Sequence, residues 1–494
     1  MDPDLAARVR DAALGAAAGL GASHAEVRVE RIRSQLVALR DGRVETTADD
    51  TEVGVGLRLV RDGAMGFAAT VAVDPDEAAA LAARAAEAAR TTALAGGRRV
   101  ELVPEPGHGH VTWTAPHRTD PVEVPLARKV ALLEDWSGRL LASPHVDHVT
   151  AHVLAVSEEK HYGDLQGTTA LQRRVRVHPQ VSALALEDGG GFEELRTVAP
   201  PAGRGWEYLE GDGWDWDAEL ASVPGLLAEK LAAPSVEPGR YDLVIDPSNL
   251  WLTIHESIGH ATELDRALGY EAAYAGTSFA TPDGLGSLRY GSPVMHVTGD
   301  RTAEHGLATV ALDDEGVVGQ SFDLVRDGVL VGYQLDRAIA GAVGADRSNG
   351  CAFADSPLHV PIQRMANVSL RPAGGPGPTV DDLVAGVARG IYVVGDKSWS
   401  IDMQRYNFQF TGQRFFAIRD GRLDGQLRDV AYQATTTDFW GSMEAVGGRS
   451  TYLLGGAFNC GKGQPGQVAP VSHGCPAALF RDVRVLNARA ESGR

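Results

Sequence analysis

Hydrophobic and polar positions in the first part of the chain follow helical and strand-like patterns in turn. An Ala-rich amphipathic pattern predicts a helix over residues 3–18. From Ala25 to Val73 apolar and polar residues alternate, with turn signals at Asp41-Gly42 and Asp62-Gly63, so this stretch is predicted to form a β-meander. Asp74-Pro75 then offers an N-cap and a first-turn proline for an Ala-rich helix that extends to about Thr92.

Helical and strand-like patterns alternate again up to residue 236. A helix, a group of strands, a loop rich in Gly, Pro and Trp, and a second helix are predicted over residues 125–142, 148–186, 188–217 and 218–233. Pro234 ends the second helix, and Pro238-Gly239 marks a boundary. A single hydrophobic core stops growing near ~250–300 residues. We therefore predict an N-terminal α/β domain over residues 1–235 and a second domain over residues 236–494.

The second domain begins with a strand and a helix and then becomes rich in strands. Tyr241 to Ile245 forms a short apolar run, and Asp246-Pro247 caps the helix that follows it. After residue 290, turns separate segments of alternating polarity, and one helix with Thr379 as its N-cap interrupts them. The whole pattern indicates an α+β protein.

The helix after Asp246-Pro247 carries His255 and His260, with Glu256 directly after the first histidine. On an ideal α-helix a spacing of five residues separates two side chains by roughly 140°, so a regular helix cannot present both histidines to one ion. A single π-bulge would bring positions i and i+5 nearly into line, and such bulges are frequent at functional sites. Gly259 permits the distortion most readily. A broken or bulged helix is therefore predicted between the two histidines.

These residue types are the ones that zinc-dependent hydrolysis uses. Neutral imidazoles are common zinc ligands, and a carboxylate beside a zinc-bound water is the usual general base. Cys460 offers a third ligand from a predicted Gly-rich loop, where Lys462 would favour its thiolate. The alternatives are two ordinary histidines on a regular helix and a cysteine that packs as a small buried hydrophobic residue. The residue pattern by itself leaves these alternatives open.

Composition and charge narrow the classes of function. The chain has 494 residues and a formal net charge of −19, which argues against nucleic acid and anionic membranes as main partners. The three cysteines are too few for a disulfide framework, so a reducing compartment is expected. The acidic start of the chain is unlike a signal peptide, and no apolar run is long enough to span a bilayer. We expect a soluble, cytoplasmic protein.

Five stretches of the second domain occur in an order that resembles the TldD/PmbA family of zinc metallopeptidases, in particular its metal-bearing TldD branch. They are His255-Glu256 with His260, Glu263 and Asp265; Ala311 to Gly316 with Gly319-Gln320; Arg364 to Asn367; Gly390-Ile391-Tyr392; and Cys460-Gly461-Lys462 with Gly463-Gln464. The segment from Val53 to Ala69 is similar, more loosely, to the first domain of the family.

The resemblance implies zinc ligands at His255, His260 and Cys460 and a general base at Glu256, which would activate a zinc-bound water. It implies hydrolysis of peptide bonds in extended or unfolded peptides such as leader peptides. It also implies an N-terminal domain for dimerisation and substrate enclosure, and a largely antiparallel, barrel-like C-terminal domain that carries the zinc helix. The dimer partner would be a second copy or a metal-free relative of the PmbA/TldE type.

Two other functions remain open at this point. The segment from Gly395 to Asp402 has bulky and charged residues where relatives have a Gly-rich run, which could suit a zinc amidohydrolase acting on a small peptide-like intermediate. A metal-free scaffold that partners a related peptidase is the other alternative. The intact set of His255, Glu256, His260 and Cys460 argues against the scaffold.

Further polar residues of the matching stretches are candidates for supporting roles. Glu263 and Asp265 could hold the far nitrogen of a ligating histidine, or could lie on a solvated helical face. Arg364 and Asn367 could bind substrate, but we favour a role in fixing a turn. The three remaining candidates are Cys351, His473 and Cys475; the last two are expected to pack near the ligands, although they also offer a rival metal set.

Overall fold

The N-terminal half is built on one seven-stranded sheet. A computed structural model describes residues 1–187 and 190–491. The sheet has the order β3-β2-β1-β5-β6-β4, with β7 paired to β6, and all neighbours are antiparallel except β4 and β6. Its strands are β1 (His24–Arg40), β2 (Arg43–Arg61), β3 (Ala64–Thr70), β4 (His110–Thr114), β5 (His148–Asp164), β6 (Thr169–Leu186) and β7 (Phe192–Arg196).

Four helices cover this sheet. They are α1 (Pro3–Gly19), α2 (Pro75–Leu94), α3 (Leu126–Leu141) and α4 (Trp216–Ala232). α1 and α2 pack on each other and on the strands of the meander, whereas α3 and α4 pack around Trp136 and Trp216, which stack with ring centroids 4.4 Å apart. Small alanines on α1 and α2 allow close packing on the sheet, which explains their Ala-rich sequences.

The predicted β-meander is confirmed, and its turns have the predicted chemistry. Asp41 and Gly42 both have positive φ, as do Asp62 and Gly63, which is the geometry of two-residue hairpin turns. The loop predicted over residues 188–217 is wrong in part, because it contains β7, a 3₁₀ turn at Trp206–Glu210 and the start of α4. Asp188 and Gly189 lie outside the described residues. The sequence prediction also missed β4.

The C-terminal half contains a closed five-stranded barrel. Its strands are β8 (Gly239–Ile245), β15 (Arg389–Ile401), β16 (Asn407–Arg419), β18 (Val430–Thr435) and β22 (Ala478–Asn487). They pair in the ring β8-β22-β18-β16-β15 and back to β8, and only the β8–β15 pair is parallel. The predicted α+β class with a largely antiparallel, barrel-like second half is confirmed. The domain boundary near residue 236 remains a prediction.

The other elements surround the barrel. Short strands and hairpins are β9 (Val297–Asp300), β10 (Ser321–Arg326), β11 (Val329–Leu330), β12 (Ala352–Phe353), β13 (Ile362–Gln363), β14 (Asn367–Leu370), β17 (Arg422–Leu427), β19 (Met443–Val446), β20 (Leu453–Lys462) and β21 (Gln467–Cys475). The helices are α5 (Pro247–Ile254), α6 (Leu264–Ala267), α7 (Val380–Ala385), α8 (Thr436–Gly441) and α9 (Ala488–Glu491). α5 packs into the barrel core, where Leu250 and Ile254 share a cluster with Phe408 and Tyr432.

Buried ion pairs join the N-terminal sheet to the C-terminal half. Arg58 on β2 binds Glu315 at 2.7 Å and Glu26 at 2.6 Å, and all three side chains are buried. Lys160 on β5 binds Asp314 in the same segment. Buried charges are costly when unpaired, so these contacts fix how the two halves meet.

Glu26 should therefore make the protein sensitive to acid. Burial acts against its ionisation, but Arg58 and His24 outweigh burial and lower the pKa of Glu26 from its usual 4.5 to about 2. The stabilisation is present above pH 4.5 and is lost as the pH falls through 2. We expect Glu26→Gln to lower the free energy of unfolding at pH 7 by about 3 kcal/mol and to flatten its acid limb, measured by urea unfolding across pH. Glu45→Gln, at an exposed position on β2, should change neither, and an unaltered acid limb in Glu26→Gln would contradict the assignment.

Candidate metal centre

The helix that carries the two histidines changes its geometry where the sequence predicts. Asp246 caps α5, and its Oδ1 accepts from the Ser248 amide at 3.0 Å. α5 ends at Ile254, and the next five residues form a π turn in which the His260 amide donates to the His255 carbonyl. The predicted bulge is confirmed. It brings the two imidazole rings to a centroid distance of 4.6 Å.

Neighbouring side chains satisfy the carbonyls of the widened turn. Gln334 Nε2 donates to the Gly259 carbonyl at 2.7 Å, and the Tyr290 hydroxyl donates to the Ser257 carbonyl. Gly259 is also tightly packed, since a Cβ there would lie 2.6 Å from the Met365 sulfur. A freed backbone carbonyl is costly when buried without a partner, so these contacts stabilise the π turn.

Cys460 lies beside the histidines, but on a strand. The predicted loop is wrong in part: Gly463 and Gln464 lie in a turn, but Cys460 belongs to β20, which pairs with β21 and has an irregular register just before the cysteine. Its Sγ is 3.6 Å from His260 Nε2. The potential ligand atoms of His255, His260 and Cys460 all lie within 4.8 Å of one another, and all three residues are buried. Within the described ranges this is the one group of three or more such residues that could hold a metal.

Hydrogen bonds fix which nitrogen of each histidine is free. His473 Nδ1 lies 2.9 Å from the Val368 carbonyl, which can only accept, so this nitrogen carries the proton. His473 Nε2 therefore accepts from His255 Nδ1 at 2.7 Å. His260 Nδ1 donates to Glu263 Oε2 at 2.8 Å. Both arrangements leave the Nε2 lone pairs of His255 and His260 available to a metal.

Glu263 and Asp265 have different roles. Burial opposes ionisation of Glu263, but Lys462, His260 and Arg266 hold the pKa of its carboxyl well below the usual range. Asp265 contacts Lys462 Nζ at 2.8 Å, so the expectation that it holds a histidine is wrong. Both carboxylates are buried, which excludes the solvated helical face. Lys462 binds these acids, and Cys460 receives its electrostatic support from elsewhere.

The protonation states of the three candidate ligands suit zinc. Burial lowers the pKa values of His255 and His260, which favours neutral imidazoles. Burial raises the pKa of the Cys460 thiol, but His260 and Arg364 outweigh this effect and lower it overall. Neutral imidazole nitrogens and an ionisable thiol are the donors that zinc prefers, so this donor set fits the ion.

Arg364 and Asn367 bind the backbone around the cluster. Arg364 donates to the carbonyls of Cys460 and Gln467 and so holds the β20–β21 hairpin. Asn367 Nδ2 donates to the Asp300 carbonyl at 2.8 Å. These contacts agree with the interpretation that we favoured, a role in fixing the chain rather than in binding substrate.

Glu256 has a partner that the sequence did not indicate. Arg405 Nη1 donates to Glu256 Oε2 at 2.7 Å, and Arg405 Nη2 donates to the Ala275 carbonyl at 3.0 Å. Arg405 sits in the turn between β15 and β16 with φ at +62°, a strained region for an arginine. No motif marks this residue, although its turn directly follows the segment from Gly395 to Asp402, which is rich in bulky and charged residues.

A cavity of about 420 Å³ opens onto the cluster. It is lined by His255, Glu256, His260 and Cys460 on one side and by the chain around β6 and β7 on the other. Asp396 and Trp399 of the 395–402 segment also line it. The site is therefore formed by both halves of the molecule, and that segment forms part of its wall.

The other two cysteines lie away from the cluster. Cys475 Sγ contacts the Pro247 carbonyl at 3.6 Å, and burial raises its pKa well above the usual value. Burial also raises the pKa of Cys351 to about 12. Both positions resemble packed thiols rather than ligands.

Close packing behind the histidines gives a further prediction. Trp251 stacks on His473 at a centroid distance of 6.3 Å, and a Cβ at Gly455 would lie 2.6 Å from the Trp251 ring. We expect Gly455→Ala to lower the free energy of unfolding by about 1–3 kcal/mol through overpacking, measured by chemical denaturation. Gly461→Ala is the matched control, because open space surrounds that position on the same strand. Equal effects of the two substitutions would contradict the packing argument.

Several known proteins are similar to this chain in sequence or in fold. A metalloprotease of Methanothermobacter thermautotrophicus is 28% identical over 466 residues, which are 94% of this chain and 95% of the relative. A zinc metalloprotease TldD homolog of Saccharolobus solfataricus is 23% identical over 275 residues, 56% of this chain and 58% of the relative. The crystal structure of TldE from Thermococcus kodakarensis has a TM-score of 0.71 at 15% identity, covering 97% of this chain and 99% of that chain, and so shares the fold.

Two family models also match the chain. The PmbA/TldA metallopeptidase domain 1 matches residues 25–89, and the PmbA/TldA metallopeptidase C-terminal domain matches residues 238–487. The C-terminal match spans half of the chain and contains the cluster, the π turn and the barrel. None of the helices that the structure describes has the length and apolar character needed to span a bilayer. The chain therefore belongs to the TldD/PmbA family of metallopeptidases.

Proposed function

We propose that this protein is a zinc-dependent peptidase that hydrolyses peptide bonds in extended or unfolded peptides, such as leader peptides. The observation that carries the proposal is the π turn, which brings His255 and His260 together beside Cys460, with Glu256 on the wall of the same cavity. The relatives named as metalloproteases, one of them a zinc enzyme, support it.

His255 Nε2, His260 Nε2 and Cys460 Sγ would hold the zinc. When bound, zinc lowers the pKa of water and polarises a carbonyl. Glu256 accepts the proton of the attacking water on a carboxylate oxygen and passes it to the nitrogen of the leaving amine. His473 and Glu263 keep the two imidazoles in the tautomer that presents Nε2 to the cavity.

Arg405 acts by positioning Glu256. Its guanidinium holds Glu256 Oε2 and is itself held by the Ala275 carbonyl, so the carboxylate has a fixed orientation toward the cavity. Preorganised polar groups raise catalytic efficiency because they need not reorganise during the reaction. The strained backbone of Arg405 is consistent with a functional constraint at this residue.

A zinc amidohydrolase acting on a small peptide-like intermediate is the second candidate. The observation that favours it is the presence of a charged and a bulky side chain, Asp396 and Trp399, on the cavity wall. Panels of peptides and of small amides separate the two activities. A scaffold role is disfavoured, because a scaffold needs neither the ligand set nor Glu256.

The assembly and location of the protein are also proposed. The likeness to TldE supports a dimer, formed by two copies or with a metal-free relative of the PmbA/TldE type. Three free, buried cysteines support a cytoplasmic location. Light scattering of the protein, alone and mixed with such a relative, measures the assembly.

The test of function combines metal analysis with peptide cleavage. We expect about one zinc per chain and cleavage of unstructured peptides, detected by mass spectrometry. Removal of the metal with a chelator should abolish cleavage, and addition of zinc should restore it. Zinc-loaded protein that cleaves small amides but no peptide would favour the amidohydrolase. Absence of metal after reconstitution would overturn both hydrolase proposals.

A further inference from the structure

The charged side chains on the cavity wall neutralise one another. Four charged residues line the cavity, and they form two ion pairs. Arg196 Nη2 donates to Asp396 Oδ2 at 2.6 Å, and Arg405 Nη1 donates to Glu256 Oε2 at 2.7 Å. Among the described residues that line the cavity, and apart from the candidate metal ligands, none presents an unpaired charge to a substrate. A charged substrate side chain that lies away from the metal would therefore lose its hydration without gaining a counterion.

An aromatic pair from the two halves of the molecule forms part of the wall. His178 on β6 stacks with Phe458 on β20, with ring centroids 5.6 Å apart and ring planes at 22°. Burial lowers the pKa of His178 to about 4, so this ring is neutral near pH 7. Phe458 lies two residues before Cys460 in the same strand. The pair is therefore an uncharged surface close to the candidate metal centre.

Trp399 adds a second aromatic surface at the cavity. It belongs to β15, lines the cavity and is 54% exposed, which is unusual for so large an apolar side chain. The aliphatic part of the wall is formed by Val198, Ala199, Pro200, Pro201, Leu252 and Leu453, and the uncharged polar residues Gln180, Thr197, Ser248 and Asn459 also line the cavity. Aromatic rings stabilise one another by mutual contact, beyond the burial of their area.

We propose that this cavity is a specificity subsite that binds an uncharged aromatic or large aliphatic side chain of the substrate between Phe458 and Trp399. This side chain belongs to a substrate residue within one or two positions of the bond that is cut. The subsite rests on the proposed peptidase function, because that function identifies the ligand as a peptide. It identifies the substrate class as peptides with a bulky apolar residue next to the cleavage point, and it disfavours Asp, Glu, Lys and Arg at that position.

Binding of matched peptides to a Glu256→Gln protein tests the subsite without requiring turnover. The probes are acetyl-Ala-Ala-X-Ala-Ala-amide, with Phe, Leu, Asp or Lys at X, titrated calorimetrically into the full-length protein. We expect the Phe and Leu peptides to bind at least about tenfold more tightly than the Asp and Lys peptides, a difference that corresponds to about 1.4 kcal/mol. Phe458→Ala and Trp399→Ala should each reduce this preference to less than about threefold.

Control variants separate the effect on peptide preference from misfolding and from loss of the metal. Trp399→Phe should retain the preference, and Leu126→Ala, an exposed apolar residue on α3, should leave it unchanged. Trp399→Ala alters a half-exposed side chain, so it remains informative if Phe458→Ala folds poorly. Equal binding of the four peptides, or binding of none, overturns the subsite. A preference for Phe in a protein that holds no metal upholds the subsite and contradicts the peptidase function instead.

Discussion

Glu256→Gln is expected to lower kcat by about 10²–10⁴-fold while the protein keeps its metal. Glutamine has nearly the same size as glutamate, and its carbonyl oxygen can still accept from Arg405 Nη1. It cannot accept a proton from water, so the substitution removes general-base catalysis alone. The measurement is kcat on a cleaved peptide together with zinc content by mass spectrometry.

A matched carboxylate checks that the effect is specific. Glu271 is buried close to β20, where it accepts from the Gly463 amide, but it does not line the cavity. Glu271→Gln should change kcat by less than threefold. If Glu256→Gln retained a third or more of the wild-type kcat, Glu256 could not be the general base.

Cys460→Ser is expected to weaken zinc binding by at least about 100-fold. Loss of an outer hydrogen-bond partner alone typically costs 10–100-fold in metal affinity, and serine is a much poorer zinc ligand than a thiolate. Competition with a chromogenic chelator measures the affinity. Cys351→Ser is the matched control, because Cys351 is also buried but lies outside the cluster; it should bind zinc as the wild type does.

Substitution of His473 tests the same zinc site through the hydrogen bond to His255. His473→Leu removes the acceptor that fixes the His255 tautomer, so a loss of about 10–100-fold in zinc affinity is expected. This loss should be smaller than that of Cys460→Ser. The opposite order, with zinc retained in Cys460→Ser and lost in the His473 variant, would show that the ligand set is His255, His260 and His473.

Local sequence rules predicted the features that depend on neighbouring residues. The five-residue spacing of His255 and His260 is incompatible with one face of a regular helix, and a π turn is the local solution. The Asp-Gly turns of the meander were predictable for the same reason, since positive φ at both positions favours these residues. Family resemblance added Cys460, which no local pattern connects to the helix.

Features that depend on contacts distant in sequence could not be predicted in this way. Arg405 reaches Glu256 across 149 positions of the chain, and its role depends on the turn that carries it. His473 faces His255 because β21 packs against α5. The Gly-rich sequence around Cys460 indicated a loop, but pairing with β21 makes it a strand. Tertiary packing overrode local propensity in that case.

The closure of the barrel has a consequence for the order of events during synthesis. β8, which leads directly into the π turn, lies between β15 and β22, and β22 is among the last elements of the chain to be made. Cys460 itself follows His260 by 200 positions. Domains fold N-terminal first as the chain emerges from the ribosome, so the N-terminal sheet can form while the cluster of His255, His260 and Cys460 is still incomplete. If the protein cleaves unfolded peptides as proposed, a nascent chain would therefore have no assembled centre with which to cleave other unfolded polypeptides near the ribosome.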